Sequence, residues 1–384
     1  MALSFSSSLL LPCMLLILQS FTPDYTTALT HKINHFPTIL PLRISKISSS
    51  ANSEQPKKLL FHHNVSLVVS LSVGSPPQDL SMVLDTGSKL SWLVCNSNHP
   101  KCFKSTSSRT YRTIPCKSSS CQIQEQDLPI PPDCDQRTKM CHMSVSYADT
   151  STSSGSTFDS TSASTTGLLG MNRGTLSFII QSRIHKFAYC ISDRDNSGIL
   201  LLGGNVSIPS LNYTPLVEIS RPLPYFDRLA YSVQIEGIRV SNVALPIPKS
   251  VFLLDHTGAG QTMLDSGTQF TFSLGKAYSA LKEGFLQQTK NILTELKEPN
   301  FMFQEVTLIL KGVEVTVTSN LLLYRVPGEV RGNNTVWCFT FGNSDLVPLS
   351  AFVIGHHHQQ KTWVEYDLRN NRIGIARARC DQEL

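Results

Sequence analysis

The chain has 384 residues, of which 41% are hydrophobic and 16% are charged, and its net charge is +5. This length exceeds one typical domain and suits two lobes, whereas the composition excludes a charge-driven disordered chain. The basic residues form no continuous stripe, so the sequence predicts no nucleic-acid partner.

The N-terminus carries the pattern of a secreted protein. Its apolar run from Leu9 to Leu18 is too short to span a bilayer and is typical of a signal-peptide core. We expect residues 1–28 to be the signal peptide. No other run of bilayer length occurs, which predicts no membrane association after its removal. Residues 29–58 are basic and Ser-rich, and they predict either a prosegment or a disordered arm.

Short alternating or β-branched runs follow and predict a mostly β protein. The predicted strands are Leu67–Val73, Leu80–Leu84, Met143–Tyr147, Ile199–Leu202, Tyr231–Val240, Val306–Leu310, Val313–Val317, Trp363–Tyr366 and Arg372–Ala376. Residues 150–166 contain thirteen Ser or Thr residues, which predicts a solvated loop. One helix is expected after Gly275, with Tyr278, Leu281, Phe285 and Leu286 on its buried face.

Ten cysteines and four Asn-x-Ser/Thr sites indicate the secretory pathway. We expect the extracellular space or cell wall, with the endoplasmic reticulum and vacuole as alternatives. Six cysteines between Cys95 and Cys141 predict a disulfide-stapled loop region, whereas Cys190, Cys338 and Cys380 have no obvious partners. The candidate glycosylation sites are Asn64, Asn205, Asn212 and Asn333.

No metal site is expected. The cysteines include no Cys-x-x-Cys pair. Adjacent residues on a strand point to opposite faces, so the run His356-His357-His358 would not converge on one ion if it were extended.

An internal repeat is the most informative feature. An apolar strand, the motif Asp-Thr/Ser-Gly-Ser/Thr and a second strand occur once around Asp85 and once around Asp265. Each copy is followed by two apolar residues and a glycine, which are Gly170 and Gly355 and lie 85 and 90 residues after the aspartates. A duplicated chain can pack its halves about a pseudo-two-fold axis, and the two aspartates would then meet at its centre.

Paired aspartates have a defined chemistry. Two adjacent carboxylates cannot both ionise, so they share one proton. The ionised partner accepts a proton from a water molecule while the protonated partner donates to a peptide carbonyl, and this needs neither cofactor nor metal. A single Asp-Thr-Gly motif is equally compatible with a simple turn. The matched duplication favours the catalytic interpretation.

Several stretches resemble the pepsin-like aspartic proteases, and most closely the plant nepenthesin-type group. They are Phe61–Val65, Val73–Pro77, Asp85–Leu93, Ser146–Asp149, Gly167–Ser177, Pro224–Asp227, His256–Phe272, Tyr324–Val326 and Phe339–Gln360. The resemblance implies a bilobal acid-protease fold, with two β lobes of the six-stranded type about a pseudo-two-fold axis and a substrate cleft between them. We expect an N-terminal lobe over 59–220, with a Cys-rich insertion at 95–141, and a C-terminal lobe over 221–384.

The same resemblance assigns the site. It implies that Asp85 and Asp265 are the catalytic pair and that Tyr147 is a flap residue oriented by Trp92. A buried strand tyrosine and a core aromatic are the alternative interpretations of these two rings. The residues implied to support the two active-site loops are Thr86, Gly87, Ser88, Ser266, Gly267 and Thr268.

The chain departs from the family pattern in two places. About two strands expected before Gly167 are missing, and a loop is missing between Gln304 and Glu305, so each lobe is expected to lack strands. The resemblance implies a monomeric aspartic endopeptidase that cleaves polypeptides at acidic pH. The alternative is an inactive pepsin-like binding or inhibitor protein, because loss of core strands exposes sheet edges and destabilises the scaffold.

Overall fold

The computed structural model describes residues 37–46, 65–94, 102–118, 121, 131–147, 152–155, 165–193, 198–204, 207–289, 305–331, 334–347 and 349–380. The predicted signal peptide, residues 29–36 and 47–58, and the predicted glycosylation sites Asn64, Asn205 and Asn333 lie outside these ranges. None of the helices within the described ranges has the length and apolar character that a membrane span requires.

Strands dominate the described residues, which confirms the mostly β prediction. The strands of the first part of the chain are β1 (Thr38–Lys46), β2 (Val65–Val73), β3 (Gln78–Asp85), β4 (Trp92–Leu93), β5 (Asp133–Cys134), β6 (Cys141–Ser146), β7 (Thr152–Gly155), β8 (Gly167–Gly170), β9 (Lys186–Cys190), β10 (Gly198–Leu202) and β11 (Asn212–Pro215). The remaining strands are β12 (Ser232–Val233), β13 (Ile235–Val240), β14 (Val243–Ala244), β15 (Gln261–Asp265), β16 (Thr271–Ser273), β17 (Val306–Leu310), β18 (Val313–Val317), β19 (Leu323–Arg331), β20 (Asn334–Phe339), β21 (Phe341–Asn343), β22 (Ala351–Gly355), β23 (Thr362–Asp367) and β24 (Arg372–Arg377). The helices are α1 (Phe178–Gln181), α2 (Gly275–Thr289) and the 3₁₀ helices Ser105–Ser107, Lys249–Phe252, Ser319–Leu321, Ser344–Leu346 and His356–Gln359.

One ten-stranded sheet runs through the described fold in the order β11-β24-β23-β9-β10-β1-β2-β3-β8-β4. Within it, β9 pairs with β10 on one side and with β23, from the end of the chain, on the other. All six residues of β23 are buried, as expected of a strand that is covered on both faces. Smaller sheets of five, four, three and two strands complete the fold.

Strand β1 lies in the interior of the large sheet. Its N-terminal half pairs with β10 and its C-terminal half with β2, and Leu42 takes part in both pairings. Leu42 is only 2% exposed and packs in the main hydrophobic core. A disordered arm is therefore the wrong description of Thr38–Lys46, because hydrogen bonds on both sides fix this strand.

The internal repeat appears as two matching strand arrangements. Strand β3 is parallel to β8 with Asp85 opposite Gly170, and β15 is parallel to β22 with Asp265 opposite Gly355. A short strand then pairs antiparallel with the second member of each pair, β4 with β8 and β16 with β22. The duplicated motif thus specifies duplicated local topology.

Helix α2 confirms the expected helix but corrects its buried face. Ala277, Leu281 and Phe285 are buried at four-residue spacing. Leu286 is instead 47% exposed, because it lies one helical step of about 100° beyond this stripe.

Three further segments differ from the sequence prediction. The predicted strand Tyr231–Val240 is split into β12 and β13 at Gln234, whose side-chain amide donates to the carbonyls of Ile235 and Phe252. In the Ser/Thr-rich region, Thr152–Gly155 pairs with β6 as a strand. The histidine run forms a 3₁₀ helix rather than an extended strand.

Disulfides staple the Cys-rich insertion as predicted, through the pairs Cys116–Cys134 and Cys121–Cys141. The expectation that Cys190 and Cys380 lack partners is wrong, since they form a third disulfide. The chain beyond β24 returns to the end of β9. Because the two cysteines are 190 positions apart, spacing in the sequence does not predict their pairing. Among the described cysteines, Cys102 and Cys338 are free.

Candidate active site

Two loops face each other at the ends of β3 and β15, and each begins with an aspartate. Their backbones are joined by crossed hydrogen bonds. The Thr86 N–H donates to the Ser266 hydroxyl (3.0 Å), and the Ser266 N–H donates to the Thr86 hydroxyl (2.9 Å). Both side chains are fully buried, so solvent does not compete for these bonds. The two hydroxyls therefore fix the separation of the loops.

The carboxylate of Asp85 is held from its own loop. Its Oδ1 accepts the Gly87 N–H at 2.8 Å, and its Oδ2 accepts the Ser88 hydroxyl at 2.5 Å. From the other loop, Gly267 lies so close that a Cβ atom at this position would overlap the Asp85 carboxylate. Glycine is required here because only it leaves room for the opposing carboxylate.

Asp265 repeats this arrangement. Its Oδ1 accepts the Gly267 N–H at 2.9 Å, and its Oδ2 accepts the Thr268 hydroxyl at 2.6 Å. A Cβ atom on Gly87 would lie 2.9 Å from Asp265 Oδ1. The repeat thus supplies each carboxylate with an amide and a hydroxyl donor from matching positions, with the Ser88 N–H as a second amide donor to Asp85 Oδ1 at 3.1 Å. It brings all eight predicted loop residues together.

The shared environment raises the pKa of Asp85 from 3.8 to about 7. Burial is the largest cause, and the negative charge of Asp265 adds to it, while the hydrogen bonds from Ser88 and Gly87 oppose the shift. A side-chain interaction with the Asp265 carboxyl group makes a further, smaller contribution to the rise. A neutral Asp85 beside an ionised Asp265 is the arrangement that general acid–base catalysis needs.

The two predicted flap residues lie together. The Trp92 indole N–H donates to the Tyr147 hydroxyl at 2.7 Å. Both rings pack on a small apolar cluster made by Leu90, Val145 and Leu176. Tyr147 is half-buried at the end of β6, in the hairpin that β6 forms with β7.

The histidine run lies beneath the C-terminal loop. His356 Nδ1 is 3.1 Å from the Ser266 carbonyl oxygen, and His358 lies between the hydroxyls of Thr271 and Thr340. Burial lowers the pKa of His357 to about 4 and that of His358 well below its ordinary value. His356 Nδ1 and both ring nitrogens of His358 thus face protein groups of the fold. Among the residues that the structure describes, no three His, Cys, Asp or Glu side chains lie close enough together to hold a metal ion.

Sequence reasoning missed three polar residues under the loops, Tyr189, Gln359 and Tyr366. Two are tyrosines within β-strands and resemble core aromatics in the sequence. Only the position of Gln359, four residues after the repeat glycine Gly355, carried a signal.

Comparison with known proteins agrees with this geometry. Residues 67–161 match the protein-family model described as "Xylanase inhibitor N-terminal", and residues 230–377 match "Xylanase inhibitor C-terminal". The chain is 48% identical over 400 aligned positions to the aspartic proteinase PCS1 of Arabidopsis thaliana, covering 89% of this chain and 88% of that protein. It is 28% identical to the aspartic proteinase nepenthesin-1 of Nepenthes gracilis, over 82% of this chain and 78% of that protein. Since 400 positions exceed the length of this chain, the first alignment includes positions at which it has no residue.

Solved structures identify the fold. The structure of EDGP superposes with a TM-score of 0.61 at 18% identity and covers 90% of this chain and 96% of EDGP. Basic 7S globulin from soybean superposes with a TM-score of 0.62 at 16% identity, over 89% and 96% of the two chains. These neighbours confirm the bilobal β fold of the pepsin-like type. With its duplicated Asp-Thr/Ser-Gly loops and its sequence relatives, the chain belongs to the plant nepenthesin-type pepsin-like aspartic proteases.

Proposed function

We propose that this chain is an aspartic endopeptidase in which Asp85 is the general acid and Asp265 the general base. A water molecule held between the carboxyl groups loses a proton to Asp265 and attacks the peptide carbonyl carbon. Asp85, neutral below about pH 7, donates its proton to the carbonyl oxygen. Asp265 then gives the proton taken from water to the leaving nitrogen, a hydroxyl of the tetrahedral intermediate returns a proton to Asp85, and the C–N bond breaks, which restores both carboxyl groups. Thr86, Ser88, Ser266 and Thr268 hold the pair, and Tyr147 with Trp92 closes over the bound polypeptide.

The observation that carries this proposal is the symmetric hydrogen bonding of the two carboxylates. The inhibitor-type alternative is disfavoured, because both carboxyl groups and all their donors are in place.

The test is secretion of residues 29–384 from a eukaryotic host and assay of peptide cleavage between pH 3 and 8. Asp85→Asn and Asp265→Asn should each reduce kcat by about 10³-fold. Asp79→Asn is the matched control, since Asp79 is an aspartate outside the site whose Oδ1 accepts the Ser72 hydroxyl, a role that an amide oxygen retains. A folded, soluble chain without acid proteolysis, or activity that survives in both aspartate variants, contradicts the proposal.

The disulfides support a secretory-pathway protein, and we extend this to a monomer in the extracellular space or cell wall. N-glycans are proposed at Asn64, Asn205, Asn212 and Asn333, of which Asn212 is exposed on β11. A peptide-N-glycosidase mass shift and the elution volume on gel filtration test these points.

The prosegment proposed for residues 29–58 has a structural constraint. Its residues Thr38–Lys46 form β1, and removing them would leave β2 and β10 without their shared neighbour. Maturation is therefore proposed to leave β1 in place. Terminal sequencing of the secreted protein tests this, and loss of residues 38–46 from the active form contradicts it.

A further inference from the structure

A chain of buried polar side chains lies directly beneath the two active-site loops. Tyr189 comes from β9, Tyr366 from the adjacent strand β23, and Gln359 from the 3₁₀ helix that follows Gly355. Both tyrosines are 0% exposed and Gln359 is 1% exposed. Polar groups buried this deeply are costly unless they are hydrogen-bonded, so their partners indicate what they hold.

At the C-terminal loop, Gln359 holds the main chain of the catalytic aspartate. Its Nε2 donates to the Ile354 carbonyl at 2.7 Å and also lies 3.4 Å from the Asp265 carbonyl oxygen. In the N-terminal copy of the repeat, the Asp85 carbonyl instead accepts the backbone N–H of Met171 at 2.8 Å. The C-terminal copy therefore uses a side chain where the N-terminal copy uses the backbone.

The tyrosines extend this contact toward the other loop. The Tyr189 hydroxyl donates to Gln359 Oε1 at 2.5 Å, and its oxygen lies 3.0 Å from the Tyr366 hydroxyl. Tyr366 in turn lies near Thr86, whose side chain opposes the rise in the pKa of Tyr366. A continuous hydrogen-bonded path thus runs from the Asp265 carbonyl through Gln359 and Tyr189 to Tyr366, which ends beside one of the two residues that join the loops.

The rings in this path are held by packing. Tyr366 stacks on Phe187 with ring centroids 4.5 Å apart, and it packs in a T-shaped arrangement with Tyr231 with ring centroids 4.3 Å apart. Burial, with a smaller contribution from the charge of Asp265, raises the pKa of Tyr189 and Tyr366. Both hydroxyls therefore remain protonated donors wherever the enzyme is active. Side chains fixed in this way can position a catalytic group through its neighbours.

We propose that Gln359, Tyr189 and Tyr366 are positioning residues of the catalytic dyad. They hold the Asp265–Ser266 peptide from below, so that the Asp265 carboxyl group keeps the spacing from Asp85 at which the two share a proton. None of the three touches substrate. This inference rests on the proposed function, and it assigns a role in turnover to residues that the sequence presents as core.

Hydroxyl deletions test the proposal without removing the rings. Tyr189→Phe and Tyr366→Phe are expected to lower kcat about tenfold while KM stays within about twofold, because substrate contacts are unchanged. The double variant is expected to equal the single variants, because the two hydroxyls act in one path. Tyr213→Phe is the matched control, since its hydroxyl donates to Glu365 at 2.9 Å at the edge of the same sheet. Gln359→Met is a further variant that keeps the volume and removes the amide.

A second readout does not depend on turnover. In ¹³C-aspartate-labelled protein, the Asp85 carboxyl titration should move by about half a pH unit or more in Tyr189→Phe and Tyr366→Phe, and should stay unchanged in Tyr213→Phe. If the wild type is active but these variants keep the kcat of the control, the positioning role is wrong and the protease function stands. If the wild type is inactive, the Asp85 carboxyl titration is the test. Titration curves that coincide in the wild type and all variants overturn the proposal.

Discussion

The hydroxyls of Thr86 and Ser266 lie 180 positions apart in the chain, yet each accepts the backbone N–H of the other. Each hydroxyl is also directed at a carbonyl behind the opposite loop, Ser266 to Leu84 at 2.9 Å and Thr86 to Leu264 at 3.4 Å. This pair of crossed hydrogen bonds thus joins the two halves of the repeat at the point where the carboxylates meet.

Thr86→Val and Ser266→Ala should therefore destabilise the protein and lower its activity together. Each change leaves a buried N–H without its acceptor, at a cost of about 1–3 kcal/mol. Chemical denaturation and kcat measure the two effects. Thr86→Ser and Ser266→Thr keep the hydroxyl and should retain most of both properties. If Thr86→Val and Thr86→Ser have the same free energy of unfolding, the crossed hydrogen bonds do not stabilise the protein.

The alkaline limit of activity should report the Asp85 carboxyl. Because its pKa is about 7, kcat/KM should fall about tenfold per pH unit above that value, as the general acid is lost. Ser88→Ala removes a hydrogen bond that favours the ionised form, so it should move this limit to higher pH. An alkaline limit near pH 4, or one that moves to lower pH in Ser88→Ala, contradicts this assignment.

The dependence of stability on pH should carry opposite contributions from His357 and Asp85. The pKa of His357 is lowered to about 4, so its contribution to stability is present above about pH 6.5 and is lost as the pH falls toward 4. The pKa of Asp85 is raised to about 7, so its contribution is present below about pH 4 and is lost as the pH rises to 7. Each amounts to about 1.4 kcal/mol per pH unit within its window.

Two substitutions separate these contributions in urea unfolding between pH 4 and 6.5. The two contributions nearly cancel in this window, so Asp85→Asn should make stability rise with pH, because the opposing carboxyl is gone. His357→Gln keeps a donor for the Leu321 carbonyl, which lies 3.1 Å from His357 Nε2, and should make stability fall with pH, because the Asp85 contribution is then unopposed. Parallel curves for wild type and both variants would show that neither group titrates in this way.

The bond between Trp92 and Tyr147 should matter for peptide cleavage rather than for folding. Tyr147→Phe and Trp92→Phe each remove one hydrogen bond of about 1.4 kcal/mol and should lower kcat/KM about tenfold. The double variant should lose no more than either single variant, because both deletions break the same bond. Fully additive losses would show that the two rings act separately.

The Cys190–Cys380 disulfide should be the main covalent staple between distant parts of the fold. It closes a loop of 190 positions, and replacing both residues by alanine should cost about 3–5 kcal/mol of unfolding free energy. After alkylation of free thiols, non-reducing peptide mapping should recover the Cys190–Cys380 peptide and an alkylated Cys338, which is exposed and free. A recovered Cys338–Cys380 or Cys190–Cys338 peptide would refute the pairing.

Local patterns in the sequence predicted most of the site, because the repeat places each carboxylate donor two or three residues after its aspartate. The strand β1 and the pair Cys190–Cys380 were missed, since both depend on contacts between distant parts of the chain that alternation and spacing do not encode. Tyr189 and Tyr366 were missed for another reason. A tyrosine under a catalytic loop and a tyrosine in a core have the same strand context, and only the position of the hydroxyl separates them.

The place of β9 between β10 and β23 has a consequence for biosynthesis. β10 follows β9 within a few residues, but β23 is among the last strands to be synthesised. Until then β9 exposes one row of unpaired amides and carbonyls, which is a template for aggregation. The large sheet is therefore completed only after β23 has emerged, which is later than the emergence of both catalytic loops. A chain truncated before Thr362 would therefore retain both aspartates and still leave β9 open to wrong partners.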